Sequence, residues 1–413
     1  KIKAAIDNNI GSSSFQQKNK KISTSNNLKD KSKSARFDDP VAYAKHVKGQ
    51  MITRTQAQKQ VPLFSHLAQY EKETSLSLQV SFSNEAIHPA ILRVGLHFTT
   101  GNITGANARC MAMLLAMKQF INDYQAPPNK AISRDLSLKL KPIVRFLKDC
   151  RPNSISMGSA IRYLKAQVIK IPSAISEIDA KRILCESIDS FINLRISLAD
   201  EVISNTTAER INDGDVILTY AKSTVVESIF KYAYDNGKQF RVICVDCNPK
   251  FEGKILLQRL LEYGITCTYV TINAVAYVMK EVSMVLLGAN AMLANGTVLS
   301  RVGSALVAMT AQQYNVPLLI CCETYKLSER VQVDAITFNE LGDPDAIAND
   351  EDLYNDQRDV SLADWRDYSN LKLLNLTYDL IPQEYVTMVV TEIGMIPSTS
   401  VPVVVREYYE DLT

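Results

Sequence analysis

Residues 215–220 read DVILTY and residues 240–246 read FRVICVD: two short, nearly continuous apolar runs separated by a stretch of helical period. Apolar residues follow one another without polar alternation, so both faces of each strand must be covered, as in a parallel sheet. Residues 266–271, 283–287 and 317–322 repeat the pattern, with helical stretches at 223–235, 253–263, 274–280 and 298–314. Strands and helices in alternation predict an α/β domain with a mainly parallel sheet and helices on both faces. Asn212-Asp213-Gly214 marks its start, residues 371–377 read as a last strand, and an apolar segment follows at 393–406.

Upstream of the first strand the period is helical. A helix over 104–124 carries the stripe Cys110, Leu114, Met117, Ile121 and Tyr124, and Pro127-Pro128 stops it. The next shows Leu136, Leu140, Ile143, Leu147 and Cys150 and ends at Arg151-Pro152. A shorter helix covers 156–169, and a long one starts at Ser176, where Ser176 and Asp179 suggest a cap. The long helix has its stripe at Cys185, Ile188, Ile192, Ala199 and Ile203. At about 100° per residue, Leu194 and Leu198 fall on the opposite side, beside Arg195. They form either a partner-facing patch or the second face of a helix buried on two sides. The expected organisation is a disordered basic tail over 1–38, a helical N-terminal domain over 39–205 and the α/β domain over 206–413. Order is expected to begin near Val61-Pro62-Leu63-Phe64.

Composition narrows the class. Of the residues 46% are hydrophobic and 22% charged, ordinary for a globular chain. No apolar run approaches the length that spans a bilayer, and residues 1–10 hold no secretory core, so neither membrane nor leader is expected. The eight cysteines sit in apolar segments and read as reduced packing residues of a cytosolic protein. That includes Cys244 and Cys247, whose CxxC lacks a second pair. The net charge of +2 is unevenly placed. Residues 1–36 hold nine Lys and Arg against Asp7 and Asp30, and residues 343–367 hold nine acids against Arg358 and Arg366. The tail reads as solvated chain, with weak RNA contact as its alternative, and the acidic stretch reads as a loop.

The usual catalytic signals are missing. All four histidines precede residue 100, outside the α/β domain. No Gly-x-Gly-x-x-Gly or Walker loop follows a strand, and no His, Cys or carboxylate cluster has metal-ligand spacing. Neither a cofactor nor a metal is expected. The turn Ala221-Lys222-Ser223-Thr224 either caps its helix or offers amides and hydroxyls to a phosphate.

Several stretches carry a specific resemblance. His88-Pro89-Ala90-Ile91-Leu92-Arg93 leads to Asn107-Ala108-Arg109-Cys110, and Pro127-Pro128 leads to Ser133-Arg134-Asp135-Leu136 and Leu140-Lys141-Pro142. Cys150-Arg151-Pro152, Leu287-Gly288-Ala289-Asn290, Ala294-Asn295-Gly296 and Ser300-Arg301-Val302-Gly303 follow. Then come Cys321-Cys322-Glu323-Thr324-Tyr325-Lys326, Asn339-Glu340-Leu341 and Thr391-Glu392-Ile393-Gly394-Met395-Ile396-Pro397. From about residue 61 to 406 the chain resembles the delta-subunit family of eukaryotic initiation factor two B. That family belongs with the alpha and beta regulatory subunits and is related to methylthioribose phosphate and ribose bisphosphate isomerases.

The resemblance implies a helical N-terminal domain joined to a Rossmann-like C-terminal domain. It also implies that the isomerases' catalytic positions are altered here. Their thiol position is Ala221 and their Asp is Asn290; Ser300 and Arg301 replace an Asn-Lys pair, and Asn248 replaces an Arg. Arg151 matches the family and either binds an anion or ties its helix to the second domain. A methyl and a carboxamide cannot move a proton between two sugar carbons. These six residues therefore read as a relic pocket. What the resemblance implies instead is regulation, in a complex with beta, alpha, gamma and epsilon subunits in which epsilon performs nucleotide exchange. The chain would bind the alpha subunit of initiation factor two, phosphorylated or not, and no specific nucleic acid. An isomerase or sugar-phosphate-binding protein of the same fold is the alternative.

Overall fold

The computed structural model describes residues 60–67, 69, 87–127, 130–172, 175–348, 362 and 364–410. These belong to one compact unit, residues 50–413. The basic tail and most of the acidic stretch lie outside the described residues.

Helices come first, as expected: α1 (Pro89–Thr99), α2 (Ala106–Asp123), α3 (Ile132–Cys150), α4 (Ile155–Lys170) and α5 (Glu177–Phe191). The stripes read from sequence are their buried faces; Cys110, Leu114, Met117 and Ile121 on α2 are at most 1% exposed. Ser176 caps α5, its hydroxyl accepting from the Asp179 amide at 3.2 Å. The long helix is not continuous. A π turn, Ile192–Ser197, separates α5 from α6 (Leu198–Ala208). The inserted residue shifts the phase of the stripe, and no residue type in this segment signals it.

The α/β part contains β1 (Val216–Tyr220), α7 (Thr224–Asp235), β2 (Arg241–Asp246), α8 (Glu252–Tyr263), β3 (Thr266–Thr271), the short α9 (Val275–Val278) and β4 (Met284–Gly288). It continues through β5 (Ala291–Leu293), β6 (Val298–Arg301), α10 (Ser304–Gln313), β7 (Leu318–Cys321), β8 (Leu327–Ser328), α11 (Asp345–Ala348), β9 (Tyr378–Ile381), β10 (Met388–Thr391), β11 (Gly394–Ile396) and α12 (Val401–Glu410). The main sheet runs β11-β10-β7-β4-β1-β2-β3, parallel except for β11. A smaller sheet, β8-β5-β6-β9, stands beside it. The α/β expectation therefore holds: a helical N-terminal region followed by a mixed, mostly parallel sheet.

Two local expectations are corrected. Residues 298–314 are not one helix: β5 and β6 form an antiparallel hairpin around Gly296, and α10 starts only after Gly303. Both glycines have positive φ, so each reverses or breaks the chain where a helix would have to continue. Residues 371–377 make no strand; Leu376 forms only an isolated bridge with Leu341, and the strand begins at Tyr378, where it pairs with β6.

The faces of the main sheet alternate with the two-residue strand period. Leu218, Ile243, Val285 and Ile320 join α1 to α5 in one core, and Ile217, Val242, Leu286 and Leu319 join α6 to α8 in another. The helical layer is thus packed directly on the sheet.

Candidate functional site

Strand order reverses between β1 and β4, and in an open parallel sheet the crevice beyond the strands' carboxyl ends at that point is where ligands sit. A cavity of about 320 Å³ opens there. Lys222, Ser223 and Thr224 follow β1, and Gly288, Ala289 and Asn290 end β4 and follow it. Gly288 permits this approach: a methyl on it would come within 2.2 Å of Ser223 Oγ. Ser223 stands at the N-cap of α7 without a side-chain capping bond, so the expected cap is absent. The N-terminus of α2, also without a side-chain cap, lines the same cavity through Gly105, Ala106 and Asn107.

Of the predicted pocket residues, Asn290, Ser300 and Arg301 line this cavity. Ser300 Oγ donates to the Gly288 carbonyl at 2.9 Å, tying the small sheet to β4. Arg301 Nη2 pairs with Glu252 at 2.8 Å. Ala221 and Asn248 line an adjoining cleft of about 30 Å³, which shares Arg301 and Glu252 with the first. Ala221 adopts φ +55°, the left-handed region that L residues other than Asn and Asp seldom enter. Arg151 lines neither space: its Nε holds Glu340 at 2.6 Å, both side chains nearly buried. Burial opposes its charge, but Glu340 keeps the guanidinium above its usual range. Lys250, in the cleft, is drawn down to about 8 by desolvation and by the neighbouring Arg301.

Sequence reasoning passed over a buried ion pair behind the cavity, of which Lys326 reaches the lining. Glu323 and Lys326 follow β7, fully and almost fully buried, with Nζ to Oε2 at 2.6 Å. Asn107 of α2 donates to Glu323 Oε1 at 2.6 Å and accepts from the Tyr325 hydroxyl at 2.6 Å, so helical layer and sheet share one polar network. Burial works against both charges, yet each partner holds the other ionised: Glu323 below its usual range, Lys326 above it. Asp200 of α6 joins them. Burial and the neighbouring Glu323 carboxylate push it up to about 9, so it carries a proton at neutral pH. The available signal was Glu and Lys three residues apart directly after an apolar strand.

The predicted contact residues lie elsewhere. Leu194 and Leu198 are 56% and 47% exposed, on and just after the π turn, with Arg195 half-buried between them. Ile188, Ala199 and Ile203 of the expected stripe are buried. The CxxC thiols are apart in role: Cys244 is buried against Cys267, and Cys247 Sγ lies 3.1 Å from the Asn248 carbonyl.

A helical layer fused to a doubly wound sheet, with a polar crevice at the switch point, defines the class: an α/β protein with a helical N-terminal layer. The sequence profile of the initiation factor 2 subunit family matches residues 102–398, and the chain belongs to that family. It is similar to "Translation initiation factor eIF2B subunit delta" of Dictyostelium discoideum, 46% identical over 381 residues, which are 91% of this chain and 61% of that protein. The chain thus spans about three fifths of that relative's length. It is 30% identical over 308 residues to the ribose 1,5-bisphosphate isomerase of Pyrococcus furiosus, covering 74% of this chain and 90% of the isomerase. Among solved structures, a chain of the tetrameric eIF2B-beta2-delta2 complex from C. thermophilum superposes with a TM-score of 0.70 at 32% identity, over 82% of this chain and all of that one. Among the described residues no helix is long and apolar enough to cross a membrane.

Proposed function

We propose that this chain is a non-catalytic regulatory subunit of the cytosolic guanine-nucleotide exchange complex that serves initiation factor two. In this reading it assembles with beta, alpha, gamma and epsilon subunits. It binds the alpha subunit of initiation factor two and responds to its phosphorylation through a difference in affinity between two states. One observation carries the proposal. At the switch point the cavity and its adjoining cleft present Asn290 and Ala221, a carboxamide and a methyl, and the resemblance sets these at the positions of the isomerases' acid and thiol, where neither can exchange a proton. Leu194, Arg195 and Leu198 supply an exposed apolar contact flanked by a cation, away from the crevice.

A second reading has its own support. Lys222, Arg301 and two helix N-termini facing one cavity suit the phosphate of a bound sugar. Two measurements separate the readings. Purified chain incubated with ribose 1,5-bisphosphate or methylthioribose 1-phosphate should show no turnover. Co-expressed with a beta-type subunit, it should elute as a hetero-oligomer by light scattering. Turnover abolished by Arg301→Ala, together with a lone monomer, would overturn the proposal.

A further inference from the structure

The first four helices are far more basic than the chain as a whole. Residues 87–172 hold thirteen Lys and Arg against Asp123, Asp135 and Asp149, a net of +10 in a chain of net +2. The charge is concentrated along one line. On α3, Arg134, Leu138, Lys141, Arg145 and Lys148 recur at four- and three-residue intervals, all exposed. At 100° per residue they fall within about 80° of arc, a ridge along a helix about 28 Å long. The opposite face, Leu136, Leu140, Ile143 and Leu147, is buried, so the ridge is held rigidly by the core.

We propose that this ridge docks an acidic protein element: a helix or strand presenting regularly spaced carboxylates around one apolar residue. The four cations lie two turns, one turn and one turn apart, with Leu138 in the wider interval, and this spacing matches carboxylates on a facing helix of the same period. Leu138, 43% exposed between Arg134 and Lys141, sets the chemistry of the partner. A phosphate backbone gains nothing from an aliphatic side chain set within its track, and the ridge presents no aromatic ring on which a base would stack. An acidic peptide with one apolar residue satisfies all five positions. This surface lies on a different helix from Leu194 and Leu198 and does not depend on their role.

The test uses the full chain and a fluorescent helical peptide with glutamates at alternating three- and four-residue spacing around a central leucine. Anisotropy should show saturable binding that weakens as salt is raised. The double variant Lys141→Glu/Arg145→Glu should weaken it about tenfold or more, and Leu138→Ser about threefold. Arg162→Glu/Lys170→Glu, the same charge change on exposed positions of α4, should leave affinity within about twofold. Equal losses in the two double variants would overturn the proposal. So would a double-stranded RNA that binds as tightly as the peptide and ignores Leu138→Ser. Thermal melting checks each fold; should the reversal unfold the chain, Lys141→Gln/Arg145→Gln takes its place, with about a threefold loss expected.

Discussion

Asp200 and Glu323 show how much a single proton decides inside this molecule. The buried Glu323 and the half-buried Asp200 lie near one ammonium, Lys326, and the second charge is neutralised by a proton on Asp200. In the unfolded chain Asp200 would lose that proton in the ordinary carboxylate range. Between there and about pH 9 the native state therefore binds more protons than the unfolded one, and stability falls as pH rises. Asp200→Asn should flatten this slope: its melting temperature should drop less than that of the parent chain between pH 6 and 9, and an unchanged slope would refute the assignment. Glu323→Gln should cost about 1–3 kcal/mol in chemical denaturation, because Asp200 is left as the remaining carboxyl partner of the buried Lys326. Gly288→Ala should cost about 2 kcal/mol by driving a methyl into Ser223, with part restored in Gly288→Ala/Ser223→Gly. At this scale the sequence disclosed some of the site and hid the rest. Asn290, Ser300 and Arg301 were legible because they stand in recognisable runs. The partners Glu252 and Glu340 were not, since they lie 49 and 189 residues from Arg301 and Arg151, and no local pattern records such a pairing.

Elements were legible where burial imposed a period. Strands β1, β2, β4 and β7 are covered on both faces and read as apolar runs, and the helices on the sheet show their stripes. The misses are short or lie where local signals conflict. Strands β6 and β9 have four residues each, interrupted by Ser300-Arg301 and by Asp379, so no apolar run emerges. Helix α12 begins Val-Pro-Val-Val-Val, a run of strand-forming residues, yet only Val401 and Val405, one turn apart, are buried, while Val403 is 53% exposed. Tertiary packing overrides propensity there. Helix α3 contains a different conflict. Pro142 lies in its interior, exposed, and removes one backbone hydrogen bond. Pro142→Ala should raise stability by at least ~1 kcal/mol in urea denaturation; a loss would mean that the helix needs the bend a proline imposes.

In the whole molecule the helical layer and the sheet meet through one apolar core and one buried polar network, so α2 and α5 cannot move far without disturbing the end of β7. In the proposed function, a partner bound at the π turn is linked through that network to the lining of the crevice, as Asp200 stands two residues beyond Leu198. The central claim is that the chain works by contact and not by chemistry in the crevice. Its most direct test is Leu198→Asp in the co-expressed regulatory subunits, read by capture of initiation factor two. The claim predicts an assembly of unchanged mass by light scattering that retains at least about tenfold less of the factor. An intact assembly that captures as much factor as the parent would contradict it.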